Sequence, residues 1–325
     1  MMRRSMLVTV AAGLAGRAAL AQPVAGRVAR VGVLRPAARP TSAADPQLAG
    51  LRHALREIGY AEGRNLVVEE RDLQRLPALA RELVDSGAEV IVAVGSPAAR
   101  AASDVARNTP VVFFGNFDPI ALGLVSDLAR PGGHVTGILI APDGTLAGKR
   151  VELLKAAVPH ATRIGLLLPE LPDTAVREQT QETRKAASTL GVQLVDVAVK
   201  RADYAAAFAT MVGEGVAALV VASHNYFMRD RRTIIDLAVR HRLPAIYEWR
   251  EQVVDGGLMA YSTSLTGQYR RIASYVDRIL NGANPGDLPV DRPYRFELVI
   301  NLKTAKALGL AIPQSLLLRA DEVIE

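Results

Sequence analysis

The stretch EVIVAVGSPAARAAS, residues 89–103, decides the fold. Residues 90–94 form an apolar run with no polar alternation, as expected of a strand buried on both faces of a parallel sheet. Gly95 ends the run, Ser96 is read as the N-cap, and Pro97 falls where a first helical turn tolerates it. An alanine-rich helical pattern follows. A strand that empties into a helix N-terminus leaves amide N–H groups and a hydroxyl at the carboxyl edge of a sheet. Open α/β sheets place ligands there, and an anion or carboxylate fits such donors. The same residues also read as a well-made loop and cap with no ligand.

Outward from this unit, strands and helices alternate. Strands are expected at residues 29–34, 65–70, 110–114 and 134–139, with helices at 46–58, 75–86 and 120–129. The series then restarts. Helices are expected at 146–157, 174–190, 203–212 and 228–241, and strands at 163–168, 192–199, 216–222, 244–247 and 257–261. Such alternation implies parallel sheets with right-handed crossovers. The two series echo each other: Gly87, a buried strand and Ser96 in the first answer to Gly215, a buried strand and Ser223 in the second. The tail adds an amphipathic helix at 266–281, a linker, a strand at 296–300 and a helix at 302–308. The fold class expected is α/β, with two Rossmann-like lobes joined by crossover hinge strands. Lobe 1 takes residues 28–138 plus about 263–285, and lobe 2 takes 139–262 plus about 286–325. Closure around a ligand is the motion such hinges allow.

Half of the 325 residues are hydrophobic, ample for two cores. Residues 1–21 read as an export signal: Arg3 and Arg4, an apolar segment from Met6 to Gly16, and the small-residue site Ala19-Leu20-Ala21. Its loss removes three arginines and no acids, taking the formal net charge from +6 to +3, which argues against nucleic-acid binding. No later stretch approaches the roughly 18 uninterrupted apolar residues of a membrane span. With no cysteine, stability must come from packing.

Nucleotide and metal sites find no support. No glycine-rich phosphate loop follows a strand, and the five histidines are scattered without metal-ligand spacing. A hydrolase reading lacks the G-x-S-x-G elbow. Ser223 and His224 are sequence neighbours whose side chains point apart on an extended chain. No cofactor is expected. Small-molecule binding fares better. The strand exits bring Arg35, Gly95, Ser96, Asn116, Phe117, Asp118, Ser223, Asn225, Tyr226, Glu248, Trp249 and Tyr261 to one crevice. Carboxylate donors, carboxylates and aromatic walls together suit a zwitterion such as an amino acid.

The run Asp118-Pro119-Ile120-Ala121-Leu122-Gly123-Leu124-Val125, with Leu128 to Gly133 (LARPGG) and Val135-Thr136-Gly137, resembles the signature of ABC-transporter substrate-binding proteins. Gly59 to Asn65 (GYAEGRN), Gly148 to Leu154 (GKRVELL) and Phe296 to Gly309 (FELVINLKTAKALG) resemble it too, so the likeness spans nearly all of residues 29–325. It implies a type I periplasmic binding protein-like fold with ligand between the lobes, aromatic amino acids for some members, and an ABC permease as partner. Asn116-Phe117-Asp118-Pro119 stands where the family often has Gly-Asp-Pro, and residues 223–227 match no family pattern. Without a lipid-anchoring cysteine, the expected product is a free periplasmic monomer. A sensory subunit reporting to a membrane receptor is the alternative of a different class, followed by an exported enzyme.

Overall fold

The computed structural model describes residues 27–35, 46–72, 75–140, 145–293 and 295–325. The expected export signal at 1–21 and most of the loop after residue 35 lie outside these residues. The first lobe is built from β1 (Ala29–Arg35), α1 (Pro46–Glu57), β2 (Leu66–Asp72), α2 (Leu76–Asp85), β3 (Val90–Val94), α3 (Ser96–Val105), β4 (Val111–Gly115) and β5 (Val135–Leu139). The second follows with α4 (Thr145–Ala157), β6 (Arg163–Pro169), α5 (Thr174–Thr189), β7 (Gln193–Val199), α6 (Tyr204–Gly213), β8 (Ala218–Val221), α7 (Asn225–Arg229) and α8 (Arg231–Arg240). It continues through β9 (Ala245–Tyr247), α9 (Arg250–Val254) and β10 (Met259–Ser262). The tail holds α10 (Leu265–Leu280), β11 (Glu297–Asn301), α11 (Leu302–Ala307), α12 (Gln314–Leu317) and β12 (Glu322–Ile324).

The first sheet runs β2-β1-β3-β4-β5, all parallel. The second runs β12-β11-β10-β9-β8-β6-β7, parallel except where β10 meets β11. Stripped of its two tail strands, the second sheet repeats the strand order of the first. In each, the order reverses between the first and third strands of its series, β1/β3 and β6/β8. The apolar runs at β3, β4 and β8 are buried along their whole length, as strands covered by helices on both faces must be.

The tail divides between the lobes. α10 packs on β3, β4 and β5 of the first sheet, whereas β11 and β12 extend the second. On its return the chain lies beside β5, where Leu139 N–H donates to Asp291 O at 2.9 Å and Asp291 N–H to Gly137 O at 2.9 Å. Apolar contact also crosses between lobes. Met228 and Trp249 of the second lobe belong to the first lobe's core cluster with Phe114, Ile140 and Tyr269, and Ala175 packs into the cluster around α3.

Three local expectations need correction. The helix expected at 120–129 is a run of turns. Asp118 Oδ1 accepts from the N–H groups of Ile120 and Ala121, and Asp127 Oδ1 from those of Ala129 and Arg130. Short acidic side chains thus take the amides that a helix would use. The helix expected at 228–241 breaks into α7 and α8 at Asp230, which holds the Tyr204 hydroxyl at 2.5 Å and the Arg229 guanidinium. Finally, Ser96 is not an N-cap. Gly95 takes that place at φ +86°, a conformation open to glycine, and Ser96 becomes the first helical residue.

Candidate functional site

Relieved of capping, the Ser96 side chain faces the second lobe. Its Oγ donates to Asp173 Oδ2 at 3.2 Å. Asp173 is the N-cap of α5, and its other oxygen accepts from Val176 N–H at 2.9 Å. One carboxylate therefore starts a helix and spans the gap between lobes. Behind Ser96, Gly95 N–H donates to Phe114 O at 2.8 Å, which fixes the exits of β3 and β4 side by side.

The cavity enclosed here has a volume of about 460 Å³, within the range of small-molecule sites. From the first lobe it is lined by Gly95, Ser96, Phe114, Asn116, Phe117 and Ile140. The second lobe supplies Asp173 and Gln179, then Ser223 to Arg229, with Glu248 and Trp249. Trp249 and Phe114 meet across the gap with ring centroids 6.5 Å apart, and Phe114 in turn meets Tyr269 at a tilt, 5.8 Å away. The second-lobe wall is stiffened by a loop with two successive left-handed residues, Arg201 (φ 50°) and Ala202 (φ 59°). Glu170 Oε2 holds this turn by accepting from Arg201 N–H at 3.0 Å.

The floor is a buried polar network. Ser223 N–H donates to Gln179 Oε1 at 3.2 Å. Its Oγ accepts from Arg150 Nη1 at 2.7 Å. Glu248, 7% exposed at the end of β9, stands 4.0 Å from Arg150 Nη2 and beside Ser223 and Trp249. Burial raises its carboxyl above the ordinary range, while Arg150, Ser223 and Trp249 pull the other way. At the rim, Arg229 is clamped to Asp230 at 2.7 and 2.6 Å and lies over the Tyr226 ring at 5.0 Å. His224 Nδ1 accepts from Tyr226 N–H at 3.3 Å, so in the neutral ring the proton sits on Nε2. Burial pushes this imidazole down, with Asp173 acting upward.

Nine of the twelve residues expected at the crevice line the cavity: Gly95, Ser96, Asn116, Phe117, Ser223, Asn225, Tyr226, Glu248 and Trp249. Three lie elsewhere. Arg35 is buried at the end of β1, outside the lining. Asp118 is exposed and spends its carboxylate on its own turn. The Tyr261 ring packs at a tilt against Phe296, 6.0 Å away, and lines a separate groove. Asp173, Gln179 and Arg150 escaped the sequence reading. The internal repeat held a signal for Asp173: the exit of β6 is the counterpart of the β1 exit that supplied Arg35. Among the described residues, no group of three or more His, Asp or Glu side chains could hold a metal ion. No helix among them is long and apolar enough to cross a membrane.

The model of the family described as "ABC transporter substrate binding protein" matches residues 30–324. Among solved structures, a conserved domain protein from Vibrio cholerae is 26% identical with a TM-score of 0.79, over 91% of this chain and 100% of that one. A domain from Streptococcus pneumonia, solved in complex with L-Trp, is 27% identical with a TM-score of 0.78 over the same shares. A tyrosine-binding protein of Clostridioides difficile is 24% identical over 266 residues, 80% of this chain and 76% of the relative.

Proposed function

The chain belongs to the ABC transporter substrate binding protein family, and on that premise we propose that it is the periplasmic solute-binding component of an ABC importer, capturing an aromatic amino acid between its lobes. The observation that carries this reading is the composition of one cavity. It joins the strand exits beside the two order-reversal points, and sets a hydroxyl and helix amides on one lobe against a buried carboxylate and an aromatic wall on the other. The ligand carboxylate goes to Ser96, Asn116 and the amides at the start of α3. The ammonium goes to Glu248. The ring lies between Phe114, Trp249 and Tyr226. The tyrosine-binding relative and the L-Trp complex support an aromatic side chain.

Capture by closure follows from this division of labour. Each lobe alone offers half a site, so a ligand touching both favours the closed arrangement by its differential affinity for it. A micromolar Kd corresponds to about 8 kcal/mol. Two charge-assisted contacts and one buried ring are enough for it. The test is calorimetric titration of the chain lacking residues 1–21 with L-tyrosine and L-tryptophan. Saturable binding of either is expected. Saturation by a neutral sugar with no response to any amino acid would sink the proposal.

A further inference from the structure

Among the described residues the most deeply buried large charged side chain is Arg150, 1% exposed, and it lies just outside the cavity lining. It projects from α4, which packs on β8, β9 and β10 beneath the cleft floor. Its three nitrogens do three different things. Nε donates to the carbonyl of Tyr261 at 2.9 Å, at the end of the strand that leads into the crossover to α10. Nη1 donates to Ser223 Oγ at 2.7 Å. Nη2 is buried with no hydrogen-bond partner and stands 4.0 Å from Glu248 Oε1.

We propose that Arg150 is a positioning residue of the ligand site, holding Glu248 as a carboxylate through its charge and through Ser223, and tying both to the interlobe crossover at Tyr261. A guanidinium cannot shed its proton under physiological conditions. A buried one needs an anion nearby, because an uncompensated interior charge is strongly destabilising. Glu248 is the anion within reach. Ser223, whose oxygen accepts from Arg150, is also a neighbour of Glu248 and acts to lower its carboxyl. Among the described residues, Arg150 is the charged group that acts on Glu248. Its other neighbours are Ser223 and Trp249. Burial opposes the carboxylate and is the larger effect, and the arginine counters part of it. The carboxylate is thereby kept available to a cationic group of whatever enters. This consequence for ligand choice rests on the assignment of the ammonium to Glu248, whereas the effect of Arg150 on Glu248 does not.

The chain carries a single tryptophan, Trp249, which adjoins Glu248 in sequence and lines the cavity with it. Its emission therefore reports the ionisation of Glu248 with no ligand added. The experiment is a pH titration of Trp249 emission in the wild type and in Arg150→Met, Arg150→Lys, Ser223→Ala and Glu248→Gln. The transition is expected to vanish in Glu248→Gln. Its midpoint should rise by about one to three pH units in Arg150→Met, as on loss of a neighbouring opposite charge. Ser223→Ala should raise it by a smaller step, and Arg150→Lys should stay near the wild type. A merely structural arginine would lower the folded fraction without moving the midpoint. If Arg150→Met fails to fold, Ser223→Ala decides. An unmoved midpoint in the folded variants, or a transition that survives Glu248→Gln, overturns the proposal. Because no ligand is present, failure here is distinct from failure of the protein to bind amino acids.

Discussion

Ser96 Oγ stands 3.2 Å from Asp173 Oδ2, a hydrogen bond from the first lobe to the second at the edge of the interlobe cavity. One hydroxyl proton serves one acceptor at a time. A ligand carboxylate at Ser96 must therefore displace Asp173, and it does so beside a like charge. The competition has a measurable sign. Asp173→Asn keeps a good N-cap for α5 but removes the anion. It should tighten L-tyrosine binding by roughly twofold to tenfold, the equivalent of about 0.5–1.5 kcal/mol for one hydrogen bond. Ser96→Ala should weaken it. Calorimetry of the two variants side by side checks both signs, and weaker binding in Asp173→Asn would contradict the competition.

Trp249 and Met228 extend the core of the opposite lobe. Trp249→Ala should cost about 3–5 kcal/mol of stability, as for other large-to-small changes at buried aromatics. It should also raise the radius of gyration measured by small-angle scattering, since the ring meets Phe114 across the interlobe gap.

Glu251 offers a prediction in pH. It lies on α9 with Oε2 buried and without a hydrogen-bond partner, and burial raises its carboxyl above the ordinary value. The folded state then binds more protons than the unfolded state between the ordinary and the raised value. Stability must fall as pH rises through that interval. Glu251→Gln lacks this dependence. The difference in melting temperature between variant and wild type should therefore shift in the variant's favour from pH 4 to pH 8. A difference that stays constant with pH would contradict the assignment.

Much of this architecture was legible because burial on both faces writes an unmistakable apolar run, as at β3, β4 and β8. The repeat of Gly87 to Ser96 in Gly215 to Ser223 likewise marked the two matched sheets. The failures have local causes. Asp118 and Asp127 turn a helical pattern into successive turns by capturing nearby amides. That outcome depends on side-chain geometry, not on hydrophobic period. Tyr261 was assigned to the cleft from its place at a strand end. Its ring packs at a tilt against Phe296 and only its carbonyl touches the floor network. Arg150 was invisible because an arginine in an amphipathic helix reads as a solvated face, and only the packed structure shows it facing inward.

Gly137 tests the packing of the first sheet. A methyl group placed there would come within 2.4 Å of both the Phe113 ring and the Phe113 carbonyl oxygen on β4. The carbonyl belongs to the paired strand and has little room to retreat. Gly137→Ala should therefore destabilise the protein by about 3 kcal/mol, at the upper end for overpacked sites. Urea unfolding followed by circular dichroism measures it, and a change within error would show that β4 and β5 can separate locally.

In the proposed function one cleft reads both ends of an amino acid, the carboxylate on the first lobe and the ammonium at Glu248. The most direct measurement is calorimetric titration of the same preparation with L-tyrosine, with its analogue lacking the amino group, 3-(4-hydroxyphenyl)propionate, and with tyramine, which lacks the carboxylate. Saturable binding of L-tyrosine is expected, with affinities lower by about tenfold or more for each analogue, as when a charged hydrogen bond worth about 1.5–3 kcal/mol is lost. Equal binding of the three compounds would contradict it.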